Sequence, residues 1–412
     1  RSVNWRVIFW GLALQFAFAF FIFRMPAGVA FFGWINNIVI KLLSFAKSGA
    51  YFLFGPLAVG PGEAGPHGER SVGFILAFQA LPTIIFFSSL MALFYYLRIM
   101  PVIVNLFARA FRKLMRISGA ESLCAASNIF VGIESAFTIR PYIDRMTPSE
   151  LCTILTAGMS TIASSMLAIY VVVLKGQFPE IAGHLISASI LSAPAAIIMS
   201  KMVYPELGCP ATMGKAAAAE YHPSSGWVEA VIKGANEGVK LVVGIVALLL
   251  AFLGIAAMAD WALSAAGSAA GNLAGLNIDL SLEGMLGYVF YPLTILIGIP
   301  AKDAPVVSQL LGERVILTEV VAYQHLAGYI KSGALKDPRS IVLATYSLCG
   351  FAHIASLAIF VGGISGLAPG RMKDLARLGF RALLAASLAC LMTGAVAGVF
   401  FRGGATVLMK GM

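Results

Sequence analysis

Ile162-Ala163-Ser164-Ser165-Met166-Leu167-Ala168-Ile169-Tyr170-Val171 returns later in the chain, shortened, as Ile354-Ala355-Ser356-Leu357-Ala358-Ile359-Phe360-Val361. Each copy lies in a long apolar stretch, 150–172 and 339–365. Each stretch follows a segment that is apolar at its flanks and polar or Gly/Pro-broken in its middle. The first such segment, 118–143, carries Glu121, Asn128, Gly132, Glu134 and Arg140. The second, 282–333, carries Gly298, Pro300, Lys302, Asp303, Pro305, Glu313, Arg314 and Glu319. Irregular backbone survives at membrane depth only where protein or a watery cavity surrounds it, so both segments read as re-entrant hairpins. A hairpin followed by a broken helix, occurring twice, is the pattern of a repeat-built secondary transporter.

The rest of the chain fits that reading. A bilayer core about 30 Å thick needs about 20 apolar residues per helix. Five further stretches qualify, 6–24, 72–98, 182–204, 236–265 and 378–402, which makes seven spans. Residues 32–47 alternate apolar positions with Asn36, Asn37, Lys41 and Lys47, which predicts an amphipathic helix in the interface. Residues 102–117 look similar, with a basic face; a short connecting helix without a special role is the alternative for both. The expected fold is an all-α polytopic membrane protein, with an inverted-repeat transport domain, two re-entrant helical hairpins and scaffold helices. Its divisions are 1–117 (scaffold and interfacial helices), 118–204 (repeat 1), 205–281 (scaffold span and loops) and 282–412 (repeat 2).

Composition excludes most other classes. Of the 412 residues, 59% are hydrophobic and 12% charged, against about 25% charged in a soluble domain. A soluble enzyme, a disordered chain and a secreted disulfide scaffold are thereby set aside. The net charge of +10 does not indicate nucleic acid. The basic residues cluster between apolar runs: Arg98, Arg109, Arg112, Lys113 and Arg116 in one gap, and Arg371, Lys373, Arg377 and Arg381 in another. Cytoplasmic loops have this look under the positive-inside rule. The five cysteines form no C-x-x-C pair, so they read as small buried thiols. Residues 1–6 read as a polar lead-in to a span, and the Arg1 start suggests a fragment that lacks its natural N-terminus. No Walker A loop, H-E-x-x-H or complete dinucleotide fingerprint is present. Gly363-Ile364-Ser365-Gly366 is a G-x-S-G string, which keeps an intramembrane serine protease as a remote alternative.

An ionisable residue within a membrane segment is costly unless paired or hydrated, and marks a functional site by default. Glu134 and Glu319 are each a single carboxylate among apolar neighbours in a polar hairpin. They suit acceptance of substrate hydroxyl or N–H groups, or of a coupling proton; a structural ion pair with a nearby arginine is the alternative. His353 falls mid-span and offers one donor and one acceptor. It suits a polar solute or proton coupling, or is a core histidine satisfied by a backbone carbonyl. Ser356 follows three residues later on the same helical face. Asn128, Val131, Thr161 and Ile162 offer an amide, a hydroxyl and carbonyls freed by helix breaks, the makings of an oxygen cage for a small cation.

Several motifs together resemble one family. Gly119-Ala120-Glu121-Ser122-Leu123, Asn128-Ile129-Phe130-Val131-Gly132, Glu134-Ser135 and Arg140-Pro141-Tyr142 resemble the first hairpin of the concentrative nucleoside transporters. Thr318-Glu319-Val320-Val321-Ala322-Tyr323 is similar to their Asn-Glu-Phe-Val-Ala-Tyr motif, and Leu348-Cys349-Gly350-Phe351-Ala352 to their Cys-Gly-Phe-Ala-Asn motif. Phe54-Gly55-Pro56-Leu57 and Leu81-Pro82-Thr83-Ile84-Ile85-Phe86-Phe87-Ser88 also fit, so the likeness runs through nearly the whole chain in order. The resemblance implies a homotrimer in the inner membrane with a central scaffold. Elevator-like transport domains would carry nucleosides by symport with sodium, or with protons. It implies no enzyme activity. Bacterial members have eight spans, so the first would be missing here, and both basic loops would be cytoplasmic.

By the same resemblance Gly132, Ile133, Glu134, Ser135, Glu319, Phe351, His353 and Ser356 form the substrate site. Glu134 would contact the nucleobase. Glu319 and Ser356 would bind ribose, with Phe351 beside the sugar. Asn128, Val131, Thr161 and Ile162 would hold sodium. Three departures stand out. The usual Gly-Gln-Thr-Glu tip reads Gly132-Ile133-Glu134-Ser135-Ala136 and is one residue shorter up to Arg140-Pro141. His353 replaces an asparagine, and Pro300-Ala301 replaces Pro-Trp. The nucleobase side is therefore the altered one, which leaves a same-fold transporter for a different polar solute as the alternative.

Overall fold

The computed structural model describes residues 4–61, 63–132, 135–217, 224–274 and 281–401. The N-terminal pair is α1 (Trp5–Arg24) and α2 (Pro26–Phe54). Met25 between them is extended, and Pro26 opens α2 where its missing N–H is not needed. The short α3 (Leu76–Gln79) leads into α4 (Leu81–Tyr96), then α5 (Ile99–Met115). The first hairpin comprises α6 (Gly119–Ser127), α7 (Ser135–Thr138) and α8 (Arg140–Ile143). After it come α9 (Pro148–Ser160), α10 (Ser164–Leu174), α11 (Ile181–Val203) and the long α12 (Trp227–Ala274). The last third runs α13 (Leu282–Leu296), α14 (Ala304–Ile316), α15 (Glu319–Ser332), α16 (Pro338–Leu348), α17 (Ile354–Leu367) and α18 (Met372–Phe400).

Among the described residues seven helical segments are long and apolar enough to cross a membrane: 5–24, 26–58, 76–96, 148–174, 181–203, 227–267 and 369–400. Three expectations need correction. Residues 26–58 form a spanning segment not counted from the sequence, whereas 339–365, counted as one span, is two short helices, α16 and α17. Residues 32–47 are not a separate interfacial helix but the middle of α2. Asn36, which made the segment look amphipathic, is buried against the start of α11. It donates to Glu180 at 3.1 Å and accepts from the Gly183 N–H at 3.2 Å. The segment 282–333 is not one hairpin: α13 precedes it, and the hairpin proper is α14 and α15.

Both long stretches that carry the echo are cut in two. Thr161–Ala163 separates α9 from α10, and Cys349–His353 separates α16 from α17. The second break needs glycine: Gly350 has φ +143°, and a Cβ there would come within 2.7 Å of Cys390 Sγ and 2.8 Å of the Ser160 carbonyl. Gly158 of α9 plays a packing part, since a Cβ there would collide with the Phe360 ring of α17 at 2.2 Å. Each half-helix of one repeat thus packs on the other repeat. One apolar core joins α10 to α14, α15 and α16; the other joins α17 to the first hairpin, α9 and α18. The spanning window of α11 is 89% buried and that of α9–α10 is 83% buried, against 6% for α12. The broken helices are therefore the interior and α12 is a wall.

Local chemistry fixes the ends. Ser118 with Glu121 and Thr147 with Glu150 are capping boxes that start α6 and α9, each worth about 1 kcal/mol. Lys201, near the end of α11, pairs with the buried Glu121, bonds Ser149 Oγ at 2.9 Å and reaches Glu206 at 3.5 Å. Removing one partner of such a buried pair costs about 3–5 kcal/mol. The cluster holds the first hairpin against α9 and α11.

Candidate functional site

Three helices begin at one cavity: α10 after Ala163, α15 after Thr318 and α17 after His353. The cavity contains about 700 Å³ of atom-free space. Thr318, Glu319, Phe351, His353 and Ser356 line it, with Gly132 at the tip of the first hairpin. The opposite wall is wholly apolar and comes from α12: Leu241, Ile245, Leu248 and Leu249. A second cavity of about 830 Å³ adjoins it and shares Gly132, Ala163 and Ser165; Tyr95, Lys233 and Glu237 line its far side.

Glu319 is the first residue of α15 and is 2% exposed. Unpaired N–H groups at a helix start favour a carboxylate there. The Tyr170 hydroxyl donates to Oε1 at 2.7 Å. His353 Nε2 stands 2.8 Å from Oε2, and because each carboxylate oxygen has two lone pairs, Oε2 keeps room for a second donor at the cavity. His353 caps α17: its Nδ1 accepts from the Ser356 N–H at 3.1 Å. That bond assigns the ring proton to Nε2, on the side of the carboxylate. A proton on Nδ1 would set two donors against each other at the helix start. Ser356 completes the capping box and turns its hydroxyl toward the carbonyls of Phe351 and His353, 2.8 Å from the latter. Its hydroxyl proton is thereby engaged within the break.

The candidate cation residues sit at two helix C-termini. Asn128 is the C-cap of α6 and Thr161 the C-cap of α9. The Phe130 carbonyl accepts from the Ser164 N–H at 2.9 Å, which pins the 128–131 turn beside the α9–α10 break. Asn128 donates to the Cys124 carbonyl at 3.1 Å, and its Oδ1 is buried without a hydrogen bond. Thr161 donates to the Ala157 carbonyl at 2.8 Å and keeps its lone pairs. Val131 and Ile162 lie next to these two caps. Neutral oxygens at two converging C-termini fit a hard monovalent cation. Among the described residues no three His, Cys, Asp or Glu side chains gather as a metal cluster.

The structure thus brings Glu319, Phe351, His353, Ser356 and Gly132 together around one cavity. It does not bring Ser135 there: that side chain is buried inside the first hairpin, 3.6 Å from the Cys124 sulfur. Ile133 and Glu134 lie outside the described residues. The sequence reading missed Tyr170. The available signal was the echo itself, which pairs Tyr170 with Phe360, so that a hydroxyl appears in one copy only.

The model of the Na+ dependent nucleoside transporter C-terminus matches residues 184–398, more than half of the chain. The chain belongs to this nucleoside transporter family. The corresponding N-terminal model matches residues 1–57, and a Gate model described as nucleoside recognition matches 77–176. Solute carrier family 28 member 3 of Rattus norvegicus is 36% identical over 96% of this chain but only 55% of its own length. The chain therefore spans about half the length of this relative. An uncharacterized transporter of Haemophilus influenzae is 35% identical over 99% of this chain and 94% of its own. Among solved structures, CNTnw in an inward-facing substrate-bound state is 34% identical with a TM-score of 0.85, covering 97% of this chain and 93% of that one. Members of this transporter family are not enzymes, which removes the serine-protease reading of Ser365.

Proposed function

We propose that the chain carries nucleosides across the cell's inner membrane, coupled to sodium and by an elevator motion. One observation carries the reading: a buried carboxylate, Glu319, faces a largely apolar cavity with lone pairs beyond those that Tyr170 and His353 occupy. Such an acceptor suits the hydroxyls of a sugar, while Phe351 and Met166 offer an apolar and aromatic bed for the rest of the molecule. The smooth α12 wall supports the elevator: Leu241, Ile245, Leu248 and Leu249 make no directional bond to the site, so the two can slide past each other. On this reading α12 and the N-terminal helices are scaffold, both repeats form the moving domain, and the exposed apolar face of α12 meets lipid or the neighbours in a homotrimer.

Asn128 Oδ1, Thr161 Oγ1 and the carbonyls of Val131 and Ile162 are the groups that would hold sodium. The ion would supply positive charge that ties the first hairpin to the α9–α10 break beside the substrate. Binding of ion and solute would then favour each other by the same factor. Protons are disfavoured as the coupling ion by His353, whose Nδ1 is committed to the Ser356 N–H. The test is calorimetric titration with uridine and adenosine, in sodium and in choline at one pH. Tighter binding in sodium, by about tenfold or more, is expected; equal affinity in both salts would remove the coupling.

The inward-turned Ser135 favours a second reading, a different polar solute in the same site. Competition by a panel of nucleosides, bases and nucleotides separates the two: nucleosides compete best on the first reading and not at all on the second.

A further inference from the structure

Arg314 is fully buried, yet among the described residues no carboxylate pairs with it. Its Nη1 donates to the Ser347 carbonyl, and its Nε and Nη2 have no hydrogen-bond partner. A lone buried charge is costly unless something of opposite sign faces it. Here that is two helix C-termini. Arg314 lies in the last turn of α14, and Ser347 lies in the last turn of α16. The next free carbonyl of that end, Cys349, accepts from the Cys390 thiol at 3.2 Å. Each C-terminus carries about half a negative charge, so two of them balance one guanidinium.

The first repeat has the same convergence. The chain just beyond the C-caps of α6 and α9 is tied together there by the Phe130 carbonyl and the Ser164 N–H, but the cap side chains are Asn128 and Thr161, neutral oxygens with no charge of their own. We infer that Arg314 is a tethered cation, the built-in counterpart in repeat 2 of the ion that repeat 1 must take from solution. It is a positioning residue: it locks α14 to the end of α16 at all times and so presents Glu319 from a hairpin whose first arm is always docked. In repeat 1 the Lys201 cluster anchors the base of the hairpin, and only the ion offsets the two C-termini at its tip. This inference rests on the sodium reading for repeat 1 but not for repeat 2.

Peptide-resolved hydrogen exchange of the full chain tests it. In the wild-type protein, replacing choline by sodium is expected to slow exchange in 119–132 by about tenfold or more and to leave 304–316 and 338–348 unchanged. In choline, Arg314→Gln is expected to speed exchange in 304–316 and 338–348 by about tenfold, and Arg314→Lys to restore slow exchange. Sodium-dependent exchange in 304–316 of the wild type would overturn the proposal, even if Arg314→Gln fails to fold. So would Arg314→Lys exchanging as fast as Arg314→Gln. If sodium alters neither hairpin of the wild type, the sodium reading fails, while the two Arg314 variants still decide the role of the charge.

Discussion

Around Asn128 and Thr161 two helix C-termini converge with only neutral oxygens between them; around Ser347 the matching convergence holds the Arg314 guanidinium. The backbone plan is the same in both repeats, a hairpin arm meeting the first half of a broken helix. On the sodium reading, the difference lies in where the positive charge comes from. A single side chain can make that distinction without changing the fold.

Glu319→Gln strikes the repeat that keeps its charge and has the largest expected effect. It removes the anionic acceptor but keeps the shape, so uptake should fall by about 100-fold, as when a buried site loses a charged hydrogen-bond partner. Initial uptake rates on protein shown to be folded by size-exclusion chromatography check this; full activity would refute the role. Asn128→Ala and Thr161→Val strike the other repeat. Each should raise the sodium concentration for half-maximal uptake by about tenfold, and leave nucleoside affinity at saturating sodium within about twofold. Sodium titrations of uptake separate the two effects.

His353 sharpens the comparison further, because it caps α17 as well as facing Glu319. Asparagine can cap a helix and alanine cannot, so His353→Ala should lower stability by about 1 kcal/mol and His353→Asn by little. Thermal unfolding of the two variants reads this directly. The smallest effect is expected outside both repeats. Glu63, in the loop before α3, bonds Lys47 at 2.5 Å and Lys175 at 3.0 Å. Burial pushes its carboxyl up, but the two lysines together hold it below the ordinary 4.5. A depressed carboxyl stabilises above its unfolded value and loses that contribution as pH falls through the folded one. The stability difference between wild type and Glu63→Gln should therefore be present at neutral pH and vanish below that ordinary value, as thermal unfolding across pH would show.

Much of this was legible in the sequence, for physical reasons. That the two echo-bearing stretches are broken helices was legible from the repeated hairpin-then-helix pattern, and Thr161 and Ile162 marked the first break; the second, at 349–353, was not located. Glu319 and His353 stood out because ionisable groups are rare in such runs. Asn36 misled because a polar residue on an apolar helix looks the same from the sequence whether it faces water or a buried partner; only the fold shows Glu180 beside it. Arg314 was visible as a charge in a polar segment, but its meaning depends on the end of α16, 33 residues on. Ser135 could not be assigned a direction, since the sequence does not show which neighbour its hydroxyl meets; the fold places it beside Cys124.

The most direct measurement is uptake of labelled uridine and adenosine into proteoliposomes with sodium and proton gradients imposed separately. The account predicts uptake with sodium alone, and none with protons alone. Uptake driven by protons in the absence of sodium would contradict it, and would shift the coupling from Asn128 and Thr161 to Glu319 and His353.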